Sequence, residues 1–382
     1  MPDRIQNAPE ISFIENKSVE DMRSELIADF EAYMTEASGR PVRLDRASVH
    51  RMILYAFAAQ IYQVMQYVDR AGKRNLLKYS YDGFLDNLAL LKGVARLPAA
   101  KASATLRFTL SAPRESAVGI PAGTRASDGG GAFFATSEYA EIPAGALTAE
   151  IPAVCTAPGL AGNGFRPGTL RVLVDPVPYV ASVENITLTE GGADAESDEA
   201  LAERVFLAPG AYSTAGPEDS YRYHAMAYSP AVGDVAVTSD QAAGRVDVAF
   251  LLADGTSPGP DMIAGLQAYL RDRDIRPMTD LVTVAAPEPV PYRLDFTYYI
   301  SRGSGARAVS IQEAVRRAAE DYVRWQRTIG RDINPSKLIS LIVAAGAKRA
   351  EIAAPAFAAV PSTAVAELEG GLSVRYGGLE DD

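Results

Sequence analysis

One cysteine, one tryptophan, two histidines and no long apolar run: these scarcities remove most function classes before any motif is read in the 382 residues. Cys155 has no partner for an internal disulfide, which fits a reducing compartment, and its setting in Ile151-Pro152-Ala153-Val154-Cys155 marks it as a small core residue. His50 and His224 fall on helices predicted in different domains. A multi-histidine metal site is therefore excluded, and a Ser-His-Asp or Cys-His arrangement would have to be built across domains. No stretch reaches the roughly 18 apolar residues that a membrane span needs. Met1-Pro2-Asp3-Arg4 has neither the basic start nor the apolar stretch of a signal peptide. The expectation is a chain made in a cytoplasm and not inserted in a membrane. No Gly-x-Ser-x-Gly elbow and no paired-histidine zinc motif occurs.

Positive charge is also scarce. The net charge is −11, with residues 101–200 and 201–300 carrying −6 each, the first hundred summing to zero and 301–382 to +1. A duplex binder needs a clustered basic face to displace counterions, so no nucleic-acid partner is expected. Seven arginines between Arg302 and Arg331 form the one cluster. Glu313 with Arg317 and Glu320 with Arg324 stand four apart in the favourable order, which predicts a solvated helix face laced with ion pairs; the functional alternative is a surface for an acidic partner. Asp194, Glu196 and Asp198 imitate the start of a calcium loop, but Glu199 occupies the glycine position and Val205 the terminal carboxylate position, so no metal is expected. The glycine-dense loop 159–168 lacks the following helix and the Gly-Lys-Ser/Thr ending of a phosphate cradle and reads as β-turns. No cofactor is expected.

At 48% hydrophobic content the chain can bury a sizeable core, and its length calls for several domains. Ser18 caps a predicted helix to about Glu36, with Val19, Met22, Leu26, Phe30 and Tyr33 as its stripe and Gly39 and Pro41 as its stop. A longer helix, about 45–70, carries apolar residues over a face wide enough for more than one neighbour. Such a stripe ordinarily means core. It is also the best candidate for a surface shared between subunits, through Met52, Phe57, Ile61 and Met65. A third helix around 84–91 ends at Gly93. From Ala104 the period changes to two, with Pro/Gly punctuation through Val174 and closing strands at 170–174 and 183–188, which predicts a β-sandwich or barrel. Two α+β pieces follow. The first has a hairpin, 232–238 with 245–252, a helix at 260–273 and a strand at 281–285; the second has a strand at 292–300, helices at 306–327 and 335–345, and a strand at 348–352. Trp325, near the end of the long helix, reads as a core or rim aromatic. The domains expected are 1–95 helical, 96–190 β-rich, 191–230 a connector with short helices, 231–288 and 289–360 the α+β units, and 361–382 a tail. The fold class is multidomain α+β.

The most informative stretch is Gly210-Ala211-Tyr212-Ser213-Thr214-Ala215-Gly216-Pro217-Glu218-Asp219-Ser220-Tyr221. A small-residue loop leads to Gly216 as a helix cap, Pro217 as a first helical residue with preset φ, and two carboxylates in the positive first turn. Tyr221, Ala225 and Tyr228 then give one apolar face, and Ser229-Pro230 ends it. Together with Gly191-Gly192-Ala193-Asp194-Ala195-Glu196-Ser197-Asp198-Glu199, this passage resembles the baseplate J family of contractile phage tails and related injection machines. The resemblance runs from about residue 80 to about 360, through Tyr81-Asp82-Gly83-Phe84-Leu85-Asp86, Gly93-Val94-Ala95-Arg96-Leu97-Pro98-Ala99, Ile120-Pro121-Ala122-Gly123-Thr124, Phe134-Ala135-Thr136, Gly159-Leu160-Ala161-Gly162-Asn163-Gly164, Val183-Glu184-Asn185 and Arg276-Pro277-Met278-Thr279-Asp280, in the family's order.

The resemblance implies a non-catalytic scaffold: a baseplate wedge protein that dimerises within a ring around the hub, pairs with a second wedge protein and with sheath- and hub-proximal proteins, and changes contacts when the sheath contracts. Assembly in the host cytoplasm and residence in the tail baseplate are implied with it. Gly216 and Pro217 are expected to fix the angle of the connector. A tail-tip receptor or carbohydrate binder is the alternative; exposed aromatics on the β-domain loops would favour it, and residues 111–131 hold no aromatic cluster. A cell-wall enzyme would need a carboxylate or metal constellation in one cleft.

Overall fold

The computed structural model describes residues 3–211, 218–240, 242–273, 275–277 and 279–381. The chain forms two compact units, Met1–Arg96 with Ser197–Phe206, and Leu97–Glu196 with Leu207–Asp382. The fold is multidomain α+β.

The first unit is helical: α1 (Asp3–Gln6), α2 (Val19–Ser38), α3 (Val49–Lys73), α4 (Asp82–Leu90) and the start of α5 (Asp198–Ala211). Ser18 and Asp21 make a reciprocal capping box on α2, and Gly39, at φ 65°, ends it. Helices α2 and α3 run antiparallel, since Phe30 stacks on His50 at 5.8 Å while Arg23 lies over the Tyr55 ring at 4.9 Å. The buried carboxylate of Glu31 closes their connection by accepting from the Leu44 N–H at 2.7 Å and from Arg43 at 2.6 Å, and those bonds hold its pKa below the usual range. Helix α5 is capped by Ser197, whose Oγ accepts from Ala200 at 3.2 Å. It runs to Ala211 with Pro209 inside it.

The second unit begins with the β-domain: β1 (Ser103–Leu110), β2 (Val118–Ile120), β3 (Arg125–Ser127), β4 (Phe133–Thr136), β5 (Ala140–Ile142), β6 (Thr148–Cys155), β7 (Val172–Leu173) and β8 (Val180–Asn185). Six strands form one sheet in the order β7-β3-β4-β6-β1-β8, and β2 pairs with β5 as a separate ribbon. The edge strands β7 and β8 lie beside each other, so the sheet is nearly closed. Strict alternation along β1 sends Ala104, Leu106, Phe108 and Leu110 into a core shared with Phe134, Ile151 and Cys155. The predicted closing strand at 170–174 is reduced to two residues because the Leu170 N–H is taken by the Asn185 side chain, at 2.9 Å, instead of by a ladder.

Helix α6 (Glu218–Tyr228) leads into a sheet β11-β10-β9 built from β9 (Val232–Asp240), β10 (Arg245–Leu252) and β11 (Leu281–Ala285), with α7 (Pro260–Leu270) joining the parallel pair β10 and β11. The last layer has β12 (Glu288–Ser301), α8 (Ala308–Gln326), α9 (Pro335–Ala344), β13 (Arg349–Ala354) and β14 (Ala364–Glu380). Asn334 caps α9 through Ser336. Residues set apart as a tail are therefore largely sheet: β14 runs parallel to β12 from Glu288↔Ala364 to Ser301↔Glu380. Its two glycine pairs, Gly370-Gly371 and Gly377-Gly378, do not form a loose end. They serve instead as irregularities in the strand, opposite the register shifts at Tyr292/Leu294 and Tyr298/Ile300. On α8, Arg317 pairs with Glu313 as predicted, whereas Arg324 turns to Asp321 and Glu320 to Arg316.

Candidate functional site

The sequence motifs meet in space as joints. In the first unit Arg96 reaches Asp86 at 2.7 Å and Asp198 at 2.6 Å, the Asp82 N–H donates to Asp198 at 3.0 Å, and Arg204 donates to the Ala95 carbonyl at 2.6 Å. Two segments a hundred residues apart are thus tied by charge-assisted bonds. In the second unit Asn163 and Gly192 exchange bonds of 2.8 and 2.9 Å, and a Cβ on Gly192 would stand 2.5 Å from the Gly159 carbonyl, which explains the glycine. Asn185 donates to the carbonyls of Phe165, Arg166 and Thr187.

Between layers the same device recurs. Glu190, buried, accepts from the Gly259 N–H at 2.6 Å and from Met262 at 3.3 Å, capping α7 with a carboxylate from the β-domain. Asp234 accepts from Ile329 at 2.7 Å, and Arg327 reaches the Gly255 carbonyl, so the two α+β pieces are also pinned. Tyr221 on α6 donates to Asp280 at 2.7 Å, while Arg276 grips the carbonyls of Arg271, Pro277 and Asp280. Burial, and then that bond, raises the Tyr221 pKa. Sequence reading gave Glu190 and Asp234 no role and placed Tyr221 only on the apolar face of its helix.

The exposed side of α3 is different in kind. No charged residue stands between Arg51 and Asp69. At roughly 100° of rotation per residue, Ala58 and Asp69 mark the inward face, and Val49, Ile53, Phe57, Ile61, Val64 and Val68 lie outward. Phe57 is 59% exposed, Val64 60% and Val68 54%. The four named residues do not form one stripe: Met52 and Phe57 are both exposed but about 140° apart around the helix, Ile61 adjoins Phe57, and Met65 is half-buried. The spacing Phe57, Ile61, Val64, Val68 is four, three, four, the alternation found along coiled-coil seams.

Gly216 and Pro217 lie outside the described residues. Their helix stands as read after them, with Tyr221 and Ala225 buried. His50 and His224 are in different units, and burial lowers the His224 pKa. Among the described residues no group of three or more His, Cys, Asp or Glu could hold a metal, and no helix is long and apolar enough to cross a membrane.

Three family models match in sequence: the Baseplate J-like protein barrel domain over residues 105–192, the Baseplate J-like central domain over 213–286, and the Baseplate J-like protein C-terminal domain over 294–374. The chain belongs to the baseplate J-like family. It is 29% identical over 193 residues to Baseplate protein J of Escherichia phage P2, a match covering 50% of this chain and 61% of that protein. It is also similar to a chain in the cryo-EM structure of the anti-feeding prophage (AFP) baseplate, 6-fold symmetrised, over 94% of this chain and 92% of that one, at 12% identity and a TM-score of 0.39. The polar joints of the second unit fall largely within the three matched baseplate J-like segments, while α3 lies before the first of them.

Proposed function

We propose that this chain is a structural, non-catalytic baseplate wedge protein of a contractile tail, building the ring around the hub and changing its contacts on sheath contraction. Family membership supports the baseplate role, and the outward face of α3 carries the assembly role. Large apolar side chains without an interleaved charge are unfavourable in water and favourable against a partner. The face docks against another copy or a second wedge protein. A ring that rearranges needs contacts whose alternative packings differ by only a few kcal/mol, and several modest faces suit that better than one large one. The chain would be assembled in the host cytoplasm and reside in the tail baseplate. Changing Phe57 and Ile61 together to aspartate is expected to leave the α+β layers folded, by circular dichroism and melting, and to abolish particles in negative-stain micrographs. Normal particles from that variant would overturn the reading.

A tail-tip carbohydrate binder keeps one supporting observation. Tyr179, exposed and at φ 70°, sits under the Arg114 guanidinium at 4.0 Å beside a cleft of about 640 Å³ that also holds Glu115 and Ser116. Glycan-array binding that is lost on Tyr179→Ala would favour it.

A further inference from the structure

In the last layer the inner side chains of β12, Leu294, Phe296 and Tyr298, are buried under the helices. Their register partners on β14 are Leu372, Val374 and Tyr376, which share that face. These three are only partly covered. Leu372 and Val374 pack partly on the core, and Gln312, Glu313 and Arg316 of α8 line, together with them and Tyr376, an open groove of about 490 Å³. That volume is within the roughly 300–1,000 Å³ of ordinary binding clefts.

The strand beside the groove is also open. The sheet order is β13-β12-β14, so the outer edge of β14 pairs with no further strand among the described residues. Its first residues are partly covered, by the Ile329↔Val365 bridge and the Gly330 to Ala364 bond of 2.8 Å. Among the described residues, 372–376 have no such backbone cover on that edge. Glycine irregularities bound this run: Gly370 is at φ 84° and Gly378 at φ 109°. The rim charges are already engaged, Arg316 with Glu320 at 3.6 Å, Glu313 with Arg317 at 3.5 Å and Arg375 with Asp295 at 2.6 Å. What is left unsatisfied is a short backbone edge and an apolar face.

We infer that β14 receives, along residues 372–376, an added strand from a neighbouring subunit of a different kind, uncharged and apolar at alternate positions, whose inward side chains fill the groove. Main-chain bonds to the edge set its extended conformation, and the groove selects its alternate side chains. A five-residue strand pair buries far less than the roughly 1,200 Å² of a free-standing interface. It therefore fits a segment delivered by a neighbour already held in the assembly, not a second copy meeting this one in solution. The flanking irregularities limit the added strand to this run and guard the rest of the edge against open-ended pairing.

The inference rests on the reading of the chain as a baseplate subunit, and hydrogen exchange separates the two. Amide exchange in residues 372–376 is measured for the full free chain and for the same chain in purified tail particles. Slowing of about tenfold or more in particles is expected. Val374→Lys, which puts an ammonium group into the groove at a side chain partly packed on the core, is expected to leave the free chain folded, as its melting transition checks, and to lose that slowing. Unchanged exchange in particles that contain the chain overturns the added strand alone, as does full slowing with the lysine variant. Slowing of the free chain on concentration would substitute a second copy. Absence of the chain from particles would overturn the subunit reading and this one with it.

Discussion

Helix α3 and strand β12 are both rich in large apolar residues, yet Phe57 is 59% exposed and Phe296 is fully buried. The difference is in what each element has beside it. Strand β12 is central in its sheet and has α8 and α9 over one face, so every second side chain from Tyr292 to Ile300 is enclosed. Helix α3 packs along α2 and against the segment at Phe13, whose N–H donates to Asp69 at 2.9 Å, and these neighbours leave the apolar side that carries Phe57, Val64 and Val68 uncovered. Apolar periodicity tells that a face avoids water. It does not tell whether the same chain provides the cover.

The sharpest test of that contrast exchanges each phenylalanine for alanine. Phe296→Ala should cost about 3–5 kcal/mol, as for other large-to-small changes in closed cores. Phe57→Ala should change the stability of the free chain by about 0.5 kcal/mol or less, since it removes a side chain already in water. Chemical denaturation of both variants decides it. A large loss from Phe57→Ala would mean that α3 is core in the free chain, and the contrast would collapse.

A smaller effect is expected at the joint between the β-domain and α7. Glu190→Ala leaves the Gly259 and Met262 N–H groups without their carboxylate, at a cost of about 1–3 kcal/mol. If the joint makes the layers of the second unit unfold together, the variant should broaden or split a single transition. An unchanged denaturation curve would show that the layers cohere through apolar contact alone.

Much of the fold was legible because local rules agreed with one another. The Ser18 cap, the change of period at Ala104, the strand at 281–285 and the helix from residue 335 each follow from neighbours in sequence, and each is where the residues place it. The joints were not legible. Glu190 and Asp280 look like ordinary surface acids until the chain returns, some 70 residues later for Glu190 and some 60 residues earlier for Asp280, with the group each one holds. The tail was misread for a related reason. Gly370-Gly371 and Gly377-Gly378 signal a break in regular pairing, and a break inside a long strand looks the same in sequence as a loose end. The α3 surface was half legible: its apolar width was visible, but the choice of Met52, Phe57, Ile61 and Met65 mixed three directions around the helix.

The smallest effect belongs to a surface pair in the second unit, and it gauges how little such pairs contribute beside the buried joints. Asp175 accepts from both the side chain and the backbone N–H of Arg125, at 2.8 to 3.0 Å, and these bonds pull its pKa down from 3.8 to about 2. The folded state therefore favours the carboxylate more than the unfolded chain does. That contribution is complete above about pH 4, shrinks as pH falls through the interval between 3.8 and about 2, and is gone below it. Both side chains are more than two-fifths exposed, so solvent screens the pair and the effect is slight. Asp175→Asn should lower the melting temperature a little at pH 7, with the difference closing as parent and variant are compared at pH 4, 3 and 2. A difference that persists at pH 2 would assign the Asp175 contribution to backbone geometry instead of charge, and the distinction between surface pairs and buried joints would need to be redrawn.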